Sequence, residues 1–309
     1  MFSKNTITLF FTIIFLTGCM EKPSDKEPIV KEEAFIPISH AMGQTDVPPS
    51  PSRIVVLTNE GTEALLKLGV KPIGAAQSWV GDPWYEHLKS YMNGVEPVGF
   101  EHDPSIEKIA ALQPDLIIGN RMRHEQIYEQ LSRLAPTVYS EDLHSDWKIN
   151  FSLYAEAVNK KQEGQDVLLK WDAYLEDSFQ GNHEISVVRF MKDHARIYYK
   201  GSFPGVIIDE AGWSRPETQE VEKISEMLVD VEQSNQMNGD LLFYSTLDVE
   251  EEEAEVFATE WLLSAPFQSL DAFKNGNVMN VDDSVWHRSG GVLAAELVVE
   301  DIKRAINKK

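Results

Sequence analysis

The run Ser105-Ile-Glu-Lys-Ile-Ala-Ala-Leu-Gln-Pro-Asp-Leu-Ile-Ile-Gly119 decides the fold class. Ser105 carries the hydroxyl of a helix cap, and Ile106, Ile109, Ala110 and Leu112 share one face of the helix it opens. Pro114-Asp-Leu-Ile-Ile-Gly119 then reads as a strand buried on both faces, which is the habit of parallel sheets. Upstream the same grammar recurs. Arg53-Ile-Val-Val-Leu57 is a strand, Asn59 can cap a helix carrying Ala64, Leu65 and Leu68 that Gly69 ends, and Pro72-Ile-Gly-Ala-Ala76 is the next strand. That is a βαβ unit, and alternating strands and helices argue for parallel α/β layering. Downstream, a helix from about Glu125 to Leu134 is expected. Residues 145 to 179 hold no strand signal but repeat Trp147, Phe151, Tyr154, Val158 and then Val167, Leu168, Trp171, Leu175 at helical spacing, so two helices run in succession. Strands resume with Ile185 to Met191, Ala195 to Tyr199 and Asp240 to Tyr244, and a helix near Leu293 to Ile306 closes the chain. Glu250 to Glu253 reads as the acidic opening of a helix.

The chain has 309 residues, with 50 Asp plus Glu against 28 Lys plus Arg, a formal charge of -22, 42% hydrophobic residues and one cysteine. The length suffices for two α/β lobes with their own cores. So acidic a surface argues against nucleic acid as a partner, because phosphate binding needs clustered cations. A single cysteine excludes a disulfide framework and a multi-thiolate metal site. Its position is informative. Lys4 precedes the apolar run Leu9 to Leu16, which is too short to span a membrane and right for the core of an export signal. The run ends in Leu16-Thr17-Gly18-Cys19, which resembles the bacterial lipobox. Residues 1–18 are then a lipoprotein signal peptide, Cys19 is the lipid anchor, and 19–35, polar and proline-bearing, form a flexible tether. The folded remainder divides into an N-terminal lobe (36–159), a connecting helix (160–181) and a C-terminal lobe (182–309), a monomer with a cleft between its sheets.

Residues just after strands are therefore the candidates for a site. Lysines outnumber arginines nineteen to nine, yet Arg121 and Arg123 follow one strand, and Arg189 and Arg196 sit in or beside two others. Arginine suits forked recognition of anionic oxygens. Taken singly, each could equally be a surface cation paired with one of the many acids. Trp79, Trp84, Trp213 and Trp286 fall at loop-like positions, where an indole either packs or stacks on a ligand. His40, His87, His102, His124 and His287 form no metal-binding pair, and the sequence holds no phosphate loop, dinucleotide fingerprint or nucleophile elbow. Neither a resident metal, a cofactor nor catalysis is indicated.

From about Phe35 to the C-terminus the chain resembles the siderophore-binding lipoproteins of bacterial ABC iron importers. The resemblance is carried by Arg53 to Glu60, Ser105 to Gly119, Leu131-Ser-Arg-Leu-Ala-Pro-Thr-Val138 and Leu270-Asp-Ala-Phe-Lys-Asn-Gly-Asn-Val278. It implies two Rossmann-like lobes joined by one long helix, and capture of a ferric siderophore for delivery to an ABC permease. The runs Val188 to Met191, Arg196 to Tyr198, Ser202 to Ile207 and Arg215 to Glu217 are similar to the hydroxamate and citrate-hydroxamate branch. Ferric citrate, a catecholate complex, haem or cobalamin are alternative cargoes, and a lipid-anchored enzyme or a structural surface protein are readings from other classes. Iron would be held by the siderophore's own oxygens, so the protein supplies cations and aromatics. By resemblance Trp79, Arg121, Arg123, Arg189, Arg196, Ser202, Phe203 and Trp286 line the cleft, with Tyr244, Arg215 and Arg288 as further candidates. Glu107 and Glu226, with Glu222 as an alternative to the latter, would dock on permease arginines. A lipid-anchored receptor of this kind suits a Gram-positive cell.

Overall fold

The computed structural model describes residues 34–178, 181–247 and 253–308, so the signal segment, Cys19, most of the tether and Glu250 lie outside the described residues. From Ala34 to Lys309 the chain forms one compact unit. It opens with a hairpin, β1 (Ile36–His40) against β2 (Gly43–Val47). The first large sheet is built from β3 (Ile54–Val56), β4 (Gly74–Gln77), β5 (Glu96–Phe100), β6 (Asp103–Pro104), β7 (Leu116–Asn120) and β8 (Thr137–Ser140). Their order is β6-β5-β4-β3-β7-β8, parallel except for the short β6 edge. Between them run α1 (Asn59–Lys67), α2 (Ile106–Ala111), α3 (Arg121–His124) and α4 (Tyr128–Ser132). Ser105 caps α2 as its position implied, accepting from the Lys108 amide. The α1 cap differs from expectation. Thr58 takes the capping place, because the Asn59 side chain is drawn off to donate to Glu101 and to accept from Ser78.

Two helices follow, α5 (Trp147–Ala157) and α6 (Lys161–Ser178). They approach closely where Gly164 faces Ala155. A Cβ at residue 164 would sit 2.5 Å from the Ala155 methyl. The Trp147 and Trp171 rings meet edge-on at 5.2 Å.

The second lobe is a five-stranded mixed sheet of β9 (Ile185–Phe190), β10 (Ala195–Tyr198), β11 (Ser225–Leu228), β12 (Leu241–Thr246) and β13 (Val278–Asn280). Its order is β11-β10-β9-β12-β13, with β9, β12 and β13 parallel and β10 and β11 antiparallel. Helices α7 (Phe203–Glu210), α8 (Glu253–Leu263), α9 (Ala265–Gln268) and α10 (Asp271–Lys274) surround it. The last helix, α11 (Val292–Ile306), returns to the first lobe. There Lys67 pairs with Glu296 at 2.5 Å, and the buried Glu63 carboxylate accepts the Ala294 amide at 2.9 Å. The sequence boundary at 182 puts α11 in the C-terminal lobe. Its apolar face, including Val292, Val298, Val299 and Ile302, lies in one core that takes in α1, α5 and α6 together with Ile185, Ile207 and Phe243 of the second lobe. Among the described residues no helix is long and apolar enough to cross a membrane.

Candidate functional site

A cavity of about 430 Å³ opens between the lobes. The N-terminal lobe contributes Glu60, Trp79, Glu101, Arg123 and Leu143, and the C-terminal lobe contributes Arg189, Phe203, Leu247 and the turn His287, Arg288, Ser289, Gly290.

On the N-terminal wall, Arg123 stands in the short α3 at the carboxyl end of β7. Asn120 caps that turn by accepting the Arg123 amide at 3.3 Å. Among the described residues no acid forms an ion pair with the Arg123 guanidinium. The neighbouring His124 is buried and tied at both nitrogens. Nδ1 accepts the Asn120 amide at 3.1 Å, which leaves Nε2 as the donor to the Glu101 carbonyl at 2.7 Å. Burial, with Arg123 nearby and the two backbone bonds opposing, lowers its pKa to about 4, so it is a neutral strut fixing the Glu101 loop to α3. The Glu101 carboxylate accepts the Asn59 amide at 2.5 Å and its side-chain nitrogen at 2.8 Å at the start of α1. Burial raises the Glu101 pKa, with the Asn59 bonds and Arg123 opposing. Trp79 stacks on His102 at 4.8 Å and 12°, with Phe100 6.0 Å away, which makes a flat aromatic rim.

The C-terminal wall is organised by Asp283, a residue the sequence reading did not single out. Arg189 grips it with two bonds of 2.6 Å, Arg288 adds one of 2.5 Å, and the Ser245 hydroxyl adds one of 3.0 Å. Burial works to raise the Asp283 pKa, but the Arg189 bond and charge, with Arg288, hold it below the usual carboxylate range. Two guanidiniums and one carboxylate leave this wall one net positive charge. His287 lies on the Tyr198 ring at 4.3 Å. Burial first and Arg189 second push its pKa down to about 3, so it is a neutral imidazole.

The structure thus brings Trp79, Arg123, Arg189, Phe203 and Arg288 to one cavity. The other expected ligand residues lie elsewhere. Arg121 is half-exposed and paired with Glu141. Arg196 lies across from Arg189 on β10 and donates to His194 at 3.2 Å rather than lining the cavity. The Ser202 hydroxyl caps α7, donating to the Tyr199 carbonyl and accepting the Gly205 amide. Arg215 is 3% exposed and bonds the Tyr198 and Gly205 carbonyls. Burial, with Glu220 and Asp209 opposing, lowers its pKa to about 10, and it holds α7 against β10. Tyr244 meets Phe190 edge-on in the second lobe's core. Trp286 has no exposed surface. It stacks on Phe243 and donates its indole N–H to Asp301 at 3.0 Å, so it is a core residue rather than a cleft aromatic. Trp84 and Trp213 are buried as well. Glu107 is exposed in the first turn of α2, and Glu226 is exposed on the edge strand β11, 3.6 Å from Lys223. Glu222 is exposed in the bend just before β11. Among the described residues no group of three or more His, Cys, Asp or Glu could hold a metal ion.

With this geometry the chain can be set beside known proteins. The family model described as periplasmic binding protein matches residues 54–285. The probable siderophore-binding lipoprotein YfiY of Bacillus subtilis is 43% identical over 97% of this chain and 98% of its own length. The achromobactin-binding periplasmic protein of Dickeya dadantii is 29% identical over 82% of this chain and 86% of its own. Staphylococcus aureus SirA, solved in complex with staphyloferrin B, superposes with a TM-score of 0.78 at 32% identity, covering 88% of this chain and 98% of that one.

Proposed function

The chain belongs to the periplasmic binding protein family, and from that premise we propose that it is the extracytoplasmic receptor of an ABC importer for a ferric siderophore with anionic oxygens at its periphery, of the citrate-hydroxamate kind. The observation that carries this reading is the set of three arginines, Arg123, Arg189 and Arg288, converging from both lobes on one cavity with the Trp79 indole at its edge. Guanidiniums suit carboxylates, and the aromatic rim suits an apolar arm. Iron is cargo here, carried by the siderophore. The relative named as a probable siderophore-binding lipoprotein, at 43% identity, and the SirA structure with staphyloferrin B, at 32%, support the reading. The protein is read as a carrier rather than an enzyme, and iron release from a loaded siderophore without added reductant would overturn that part.

In this proposal Cys19 carries the lipid that holds the protein on the outer face of the cell membrane, and the exposed Glu107 and Glu226 dock on the permease. The test of the cargo is intrinsic tryptophan fluorescence of the purified protein, titrated with a ferric citrate-hydroxamate, a ferric trihydroxamate, ferric citrate and a ferric catecholate. Trp79 makes the signal direct. Saturable submicromolar quenching by the carboxylate-bearing complexes is expected, and quenching by the catecholate alone would move the cargo to another class.

A further inference from the structure

The arginines do not account for every polar group of the cavity. Glu60, in the first turn of α1, is 4% exposed and lines the N-terminal wall. The nearby Asn150 side chain donates to the Asp142 carbonyl at 2.8 Å, and Glu60 Oε1 has no partner among the described residues. Glu101 on the same wall commits Oε1 to Asn59. On the facing wall neither ring nitrogen of His287 has a partner among the described residues. Buried polar atoms in folded proteins are nearly always satisfied, and apolar replacements of the same shape are neutral or stabilising. These groups therefore burden the free protein, at the place where a ligand enters. Once ionised, Glu60 offers Oε1 as an acceptor, and a neutral imidazole offers one acceptor nitrogen beside one N–H donor. The cleft thus offers donors from its arginines and unmatched acceptors from Glu60 and His287.

We propose that Glu60, together with Glu101 beside it and His287 opposite, forms a second recognition subsite that accepts an N–H donor, a protonated amine, carried by the ferric complex, while the arginines hold its carboxylates. The proposal rests on the ferric-siderophore reading and narrows it to complexes that carry both groups. Burial, with the nearby Asn150 amide opposing and the negative Glu101, Glu63 and Asp146 adding, keeps the Glu60 carboxyl well above the usual carboxylate pKa in the free protein. A bound ammonium favours the ionised form, so the pair is made only when the ligand arrives.

The test uses two ferric chelates of one α-hydroxycarboxylate backbone, one with a free primary amine and one with that amine trimethylated, so that charge is kept and the donor removed. Affinities are measured by fluorescence titration. The wild-type protein is expected to bind the free-amine chelate roughly tenfold or more tightly than its trimethylated analogue. Glu60→Leu should level the two affinities while raising the melting temperature, because an unmatched buried acid is gone. Glu60→Gln, nearly isosteric, reports the same loss of discrimination if the leucine variant does not fold. Arg123→Ala should weaken both chelates equally. Equal wild-type affinities, or a ratio that the Glu60 variants leave unchanged, would overturn the subsite and leave the ferric-siderophore reading standing. Binding of neither chelate would overturn the carboxylate reading itself, and the subsite with it.

Discussion

On the C-terminal wall of the cleft two guanidiniums share one carboxylate and are aligned before any ligand arrives, whereas on the N-terminal wall, among the described residues, Arg123 forms no ion pair and Glu60 Oε1 has no hydrogen-bond partner. The two walls therefore meet a ligand in different conditions. The first is a preset anion clamp whose orientation is supplied from within the protein, and the second holds groups whose partners are missing until the cleft is filled. The clamp should matter to folding and to binding alike, Arg123 to binding alone, and Glu60 to binding at a cost to stability. Asp283→Ala tests the first statement with the largest effect. It strands two mostly buried guanidiniums, for which a loss of about 3–5 kcal/mol of stability is expected, measured by denaturant unfolding together with loss of ligand binding. Arg123→Ala should weaken binding by roughly tenfold or more with the melting temperature unchanged. If the two variants lose stability equally, the contrast between the walls is wrong.

Titration sharpens the same comparison, because burial shifts an acid and a base in opposite directions. Glu60 has its folded pKa raised, so the folded state holds a proton that the unfolded chain releases above about 4.5. Its cost to stability therefore grows as pH rises from there. His287 has its folded pKa lowered to about 3, so the unfolded chain takes up a proton first as pH falls through about 6.5. Its cost grows as pH falls through that window. Each contributes up to about 1.4 kcal/mol per pH unit within its window. Melting temperatures across pH 4 to 8 should show Glu60→Leu gaining most at neutral pH and little near pH 4.5, and His287→Phe gaining most in acid. Parallel gains for both variants would mean that one of the two groups is solvated.

Strands β3, β4 and β7 of the first lobe are readable in the sequence, whereas β5, β6, β8 and the opening hairpin are not. Ile54 to Val56 and Leu116 to Ile118 appear as continuous apolar runs, and Ser105 announces its helix. The second lobe's edge strands hide for the converse reason. Ser225–Leu228 and Val278–Asn280 are short, half-exposed and antiparallel or marginal, so no run or alternation marks them. Arg123 and Arg189 are marked by their positions at strand ends, but the same rule also picks Arg196, which donates to His194 away from the cavity, and Arg215, suggested by the resemblance, turns its charge inward to backbone carbonyls. Trp286 was misplaced because a π-helical turn looks like a loop, while its indole is sealed against Phe243 and Asp301. Asp283 could not be read at all, since its main partner is 94 residues away. Nothing in the sequence marks Glu60 as a site residue, and only the fold shows that this first-turn acid of α1 is buried.

The smallest effect concerns how the walls move toward each other. Lys148 on α5 reaches Asp172 on α6 and Glu210 on α7, each at 3.0 Å, and Trp171 donates to the same Glu210 carboxylate at 3.2 Å. One ammonium thus ties the first lobe, the connecting helix and the second lobe at a single point away from the cleft. Its side chain is 27% exposed and the Asp172 side chain 59%, so screening keeps the static worth of these pairs to about 0.2–1 kcal/mol each. Bending α6 itself would break helical hydrogen bonds, which is why closure on ligand binding should be modest. The tie adds a second restraint, acting on the angle between α5 and α7. Lys148→Ala should therefore change the melting temperature by only a few degrees, yet widen the difference in radius of gyration between the empty and loaded protein in small-angle scattering. An unchanged difference would assign the stiffness to α6 alone, and a rotation of tens of degrees in the unmodified protein would show that neither restraint holds.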